Sequence, residues 1–104
     1  MSVFQGLQPS AVWEYFEEIC QVPRPSKKEG KIMAFLLDWA KKHDLEACRD
    51  EAGNVLIKKP AAPGRENAPT VVLQAHMDMV CEKNSDSAHD FDKDPIRPYV
   101  DGEW

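Results

Sequence analysis

Thr70-Val71-Val72-Leu73-Gln74-Ala75-His76-Met77-Asp78-Met79 is the stretch on which the reading of this chain turns. Residues 70–75 are apolar and rich in β-branched side chains, without polar alternation, a pattern that predicts a strand covered on both faces. His76 and Asp78 follow at once. In an extended segment residues i and i+2 share a side. Both side chains are therefore expected to face one site at the carboxyl end of the strand, where open α/β sheets bind ligands. A neutral imidazole is a common zinc ligand. A carboxylate beside it can accept the other ring N–H and so fix tautomer and aim. The same spacing also suits a strand-end histidine satisfied by its neighbouring aspartate with no metal, and spacing alone leaves both readings open.

Upstream, Val12, Trp13, Phe16, Ile19 and Cys20 recur at helical spacing and predict a first helix from about Pro9 to Cys20, with Ser10 at its start. Pro23 and Pro25 stop it. Ser26-Lys27-Lys28-Glu29 has the form of a capping box. It predicts a second helix from about Lys27 to His43, with Ile32, Phe35, Leu36 and Trp39 on its inner face. Beyond Asp44 the period changes, and Leu45–Arg49 and Val55–Ile57 read as a hairpin around Asp50-Glu51-Ala52-Gly53-Asn54. Residues 59–69, with three prolines and a glycine, predict a surface loop. Downstream, residues 94–100 suit an edge strand, and Asp101-Gly102 is a hairpin signal followed by only Glu103 and Trp104.

Other chemistry-bearing residues are weaker candidates. His43 suits a helix C-terminus. His89 sits in an acidic loop whose Asp86, Asp90, Asp92 and Asp94 lack the spacing of a calcium loop. A catalytic Cys81 would need a base and an electropositive setting. Lys27, Lys28 and Lys31 read as a solvated helix face.

The bulk properties narrow the class. A length of 104 residues allows one small domain, and a net charge of −5 argues against a nucleic-acid footprint. No run approaches the ~18 apolar residues of a membrane span, and residues 1–10 do not form a signal peptide. Cys20, Cys48 and Cys81 are odd in number and widely spaced, as in a reducing compartment, so a cytoplasmic protein is expected, with Cys20 and Cys48 buried.

The run from Thr70 to Asn84 resembles the first metal motif of the bacterial aminoacyl-histidine dipeptidase family, within the di-zinc aminoacylase and carboxypeptidase superfamily. The resemblance continues through Val22-Pro23-Arg24-Pro25-Ser26, Asp50 to Val55, His89-Asp90-Phe91 and Asp94 to Gly102, and so covers nearly the whole chain. It implies α/β architecture: residues 1–104 as the N-terminal part of a zinc-peptidase-type catalytic domain, two helices and then a few strands of an incomplete sheet. The rest of that domain and an inserted second domain would lie outside the chain. The implied activity is hydrolysis of unblocked dipeptides, including Xaa-His, with two divalent metals (zinc, with cobalt or manganese as alternatives). His76 matches the motif's metal ligand and Asp78 its supporting active-site aspartate. The family's bridging aspartate, its Glu-Glu pair, its further carboxylate and its C-terminal histidine have no counterpart here, and Asp101 is not the bridging residue. The isolated chain is therefore expected to be inactive, and a homodimer is compatible with the complete enzyme. A non-catalytic α/β interaction module, or a truncated gene product with a structural His76, is the alternative.

Overall fold

In the computed structural model, which describes residues 2–104, helix α1 spans Ser10–Cys20 and helix α2 spans Gly30–Lys42. Strands β1 (Glu46–Arg49) and β2 (Val55–Lys58) form an antiparallel hairpin, with Glu46 opposite Lys58 and Arg49 opposite Val55. The architecture is thus α/β, with two helices and a two-stranded sheet. The hairpin turn closes as its residue types require. Asp50 accepts hydrogen bonds from the backbone and side-chain amides of Asn54. Gly53 takes φ +92°, a conformation open to glycine at little cost.

The core is small. Phe4, Cys20, Ile32 and Ala40 are buried, as is Pro25. Helix α2 lies across both strands, and Tyr15 of α1 meets Trp39 of α2 edge to face, with ring centroids 5.6 Å apart. Phe4 covers Trp13 and Phe16. Past the end of α1, the Arg24 guanidinium donates to the carbonyls of Ile19 (2.7 Å) and Val22, satisfying acceptors at the helix terminus. Ile96 donates its N–H to Cys20 O at 2.9 Å, tying the C-terminal segment to the same corner. The radius of gyration is 16.5 Å, against about 13 Å for a close-packed chain of ~100 residues. Much of residues 59–104 accordingly lies outside the core.

The structure corrects several sequence expectations. Residues 70–75 pair with no strand, and Val71 and Leu73 are 79% and 93% exposed rather than covered, because no second strand lies alongside to complete a ladder. Residues 94–100 form no edge strand: Pro95 and Pro98 lack donors, and Ile96 spends its N–H on Cys20. Asp101 and Trp104 exchange both backbone hydrogen bonds around Gly102, so the turn forms without flanking strands. Cys48 is exposed, since it alternates with the half-buried Ala47 and faces away from α2. Ser10 lies inside α1 and makes no side-chain cap. The capping box at Ser26 does not form: α2 begins at Gly30, Lys27 sits at φ +69°, and Glu29 accepts from the Lys27 N–H. The Ser26 hydroxyl goes elsewhere.

Candidate metal-binding site at His76 and Asp78

The backbone around residue 79 is held from across the fold. Met79 donates its N–H to Arg24 O (2.9 Å) and accepts from the Ser26 N–H (3.0 Å), a one-residue parallel bridge between Pro25 and Met79. The loop carrying Pro23 and Pro25 is thereby docked along the His76–Met79 segment, with Pro25 buried at the junction.

On this frame His76 and Asp78 face each other. His76 Nδ1 lies 3.0 Å from Asp78 Oδ1. Asp78 Oδ2 accepts the Ser26 hydroxyl at 2.6 Å. Each carboxylate oxygen thus has its own donor. The Ser26 hydroxyl first, and the His76 ring second, hold the Asp78 carboxyl below the usual carboxylate range. An ionised carboxylate only accepts, so the neutral imidazole carries its proton on Nδ1 and presents the Nε2 lone pair outward. The imidazole side chain is 82% exposed and Asp78 is 33% exposed.

This donor set has the chemistry of one backed metal ligand: an imidazole fixed in tautomer by a carboxylate, with its second nitrogen open. It fits a divalent metal in kind and falls short in number. Among the described residues no group of three or more His, Cys, Asp or Glu side chains is arranged to hold a metal, whereas a catalytic zinc centre takes three protein ligands.

The remaining candidates lie elsewhere. His43 caps α2, its Nδ1 2.8 Å from Trp39 O and its ring stacked on Trp39. His89 packs edge-on against Phe91 and lines an open cavity of about 530 Å³ shared with Ser26, Lys28, Cys81 and Lys83. Lys28 is paired with Asp92, and Lys31 reaches the Asp92 carbonyl. Ser26 is the residue that sequence reasoning missed. Its one visible signal is a serine directly after a proline pair, which a local reading takes for a helix cap.

The α/β fold and the carboxylate-backed imidazole accompany a similarity in sequence and structure, along the whole of this chain, to proteins named as dipeptidases. It is 50% identical over all 104 residues to cytosol non-specific dipeptidase of Escherichia coli, and spans 21% of that protein. The crystal structure of aminoacylhistidine dipeptidase from Vibrio alginolyticus matches it with a TM-score of 0.92 and 49% identity, over 100% of this chain and 21% of that one. A [LysW]-lysine hydrolase of Deinococcus radiodurans is 36% identical over 70 residues, 67% of this chain and 18% of that protein. The chain therefore spans about a fifth of the length of these relatives. No protein-family model matches it.

Proposed function

We propose that the chain forms part of the catalytic domain of a metal-dependent dipeptidase, with His76 as a ligand to one divalent metal and Asp78 as the carboxylate that orients it. The single observation carrying this reading is the His76 Nδ1 to Asp78 Oδ1 contact of 3.0 Å, which leaves Nε2 open to solution. Kinship with a dipeptidase along the whole chain supports it.

His76 would hold a divalent metal, zinc with cobalt or manganese as alternatives, which would supply Lewis acidity toward a peptide carbonyl. The chain's own contribution is positional. Asp78 keeps the Nδ1 proton in place, His76 offers one nitrogen, and the docked Pro25 loop fixes both relative to α2. The remaining ligands and the proton-transferring base come from outside residues 1–104, as does an inserted second domain. Residues 1–104 alone therefore hydrolyse nothing. The substrates are unblocked dipeptides, Xaa-His among them, and the compartment is the cytoplasm; no helix among the described residues is long and apolar enough to cross a membrane.

A chimera tests this. The chain replaces the matching fifth of the Escherichia coli dipeptidase, and hydrolysis of an Xaa-His dipeptide is assayed with zinc. Activity in the chimera, its loss on His76→Ala, and none in the isolated chain are expected. A His76→Ala chimera as active as its parent, or metal-dependent hydrolysis by residues 1–104 alone, overturns the proposal.

A further inference from the structure

We infer that Ser26 is a positioning residue for the His76–Asp78 pair: its hydroxyl, 2.6 Å from Asp78 Oδ2, fixes the carboxylate that in turn fixes the imidazole. This rests on the metal-ligand reading of His76 given above.

The need for such a residue follows from the aspartate itself. The terminal torsion of an aspartate side chain is broad and roughly two-fold, so the carboxylate plane does not set itself. A short carboxylate also competes for nearby backbone N–H groups. Asp78 is one-third exposed, and packing alone does not hold it. Two donors on two different oxygens do, with His76 on Oδ1 and Ser26 on Oδ2.

Ser26 is itself held. Its backbone N–H is committed to Met79 O at 3.0 Å, and the preceding proline is buried. The hydroxyl therefore approaches Asp78 from a backbone already locked to the residue next to it. Neighbouring cations take no part in this: the Arg24 guanidinium is spent on Ile19 O and Val22 O, and the Lys28 ammonium on Asp92. Among the described residues Ser26 is the one side chain that donates to Oδ2. Its contact with Asp78 also explains why the serine forgoes the cap of α2. A hydrogen bond to an ionised acceptor is about twice as strong as one between neutral groups.

The consequence concerns the imidazole tautomer and, through it, metal affinity. Loss of a partner that orients a metal ligand lowers metal affinity by roughly 10–100-fold. Because Ser26 acts at one remove, through Asp78, the lower end of that range is expected for Ser26→Ala, and Ser26→Thr, which keeps a hydroxyl, restores the parental value.

Two measurements on the full chain decide the matter. The first is ¹⁵N NMR of the His76 ring without metal, at a pH where the imidazole is neutral. The unmodified chain is expected to carry its ring proton on Nδ1, Ser26→Ala to shift population toward Nε2–H, and Ser26→Thr to restore it. The second is zinc affinity, measured for every variant by competition with a chromophoric chelator. Ser26→Ala is expected to weaken it about tenfold and to add nothing in an Asp78→Ala background, since residues acting through one network do not add.

The failures are separable. If His76→Ala leaves zinc affinity unchanged, the metal reading falls and this inference with it. If His76→Ala abolishes binding while Ser26→Ala changes neither tautomer nor affinity, the role of Ser26 alone is overturned. An Nδ1 without its proton in the unmodified chain overturns it too, without recourse to any variant that fails to fold.

Discussion

The Ser26 hydroxyl and the Asp78 carboxylate meet at 2.6 Å across 52 positions of sequence. That one contact joins the loop between the helices to the segment bearing the candidate ligand, so chemistry and fold share a residue. Asp78→Asn replaces one acceptor oxygen by an NH2 group that cannot accept, so one of the two donors loses its partner. We expect it to weaken zinc binding at His76 by about 10–100-fold and to speed exchange of the Met79 and Ser26 amides. Equal affinity in a competition assay with a chromophoric chelator would refute the orienting role of Asp78.

Ile32 is the largest fully buried side chain, 1% exposed, in a core of few members. Ile32→Ala removes three carbons and leaves a cavity, at a cost of about 3 kcal/mol. Small domains hold only about 5–15 kcal/mol in total. The urea midpoint should fall far enough for the unfolded form to be visible by circular dichroism near zero denaturant. A midpoint shift worth less than about 1 kcal/mol would place the core elsewhere.

Gly53 turns the hairpin at φ +92°, and a Cβ there would stand 3.4 Å from the Met33 sulfur. Gly53→Ala therefore meets backbone strain from the positive φ, while the methyl itself stands at ordinary contact distance from the flexible Met33 side chain. The expected loss is about 1–2 kcal/mol. Chemical denaturation of both forms under the same conditions measures it, and an unchanged or raised stability would contradict the turn geometry.

Asp50 supplies a pH dependence. The Asn54 side-chain amide first, and the Asn54 backbone N–H second, hold its carboxyl below the usual carboxylate value in the folded hairpin. A carboxyl whose folded value is depressed stabilises the fold above its unfolded value, near ~3.9, and the contribution disappears as pH falls through the lower folded value. The Asn54 amide signal should thus titrate with a midpoint below that of a free aspartate, and Asp50→Ala should abolish the transition. A midpoint at or above ~3.9 would mean that the turn bonds do not favour the charged form.

Where local chemistry decided the structure, the sequence was legible. The hairpin was readable because Asp50, Gly53 and Asn54 each carry a conformational instruction acting within five residues. The stop of α1 at the prolines and the inward stripe of α2 were readable for the same reason. The side-by-side placement of His76 and Asp78 followed from extended backbone alone. What failed depended on distant partners. Ser26 met every local requirement of a helix cap, and a charged acceptor far along the chain outbid the helix. Val71 and Val72 have the composition of a buried strand, but β-branching states only that such side chains fit a sheet and cannot provide the neighbouring strand. Cys48 was judged by its residue type, whereas strand alternation set its exposure.

Those bare residues have a physical consequence of their own. Val71, Val72 and Leu73 present an apolar, unpaired stretch of backbone to solvent, the kind of surface that recruits like strands into aggregates. Leu73→Lys should therefore reduce light scattering by residues 1–104 on concentration without altering their melting temperature.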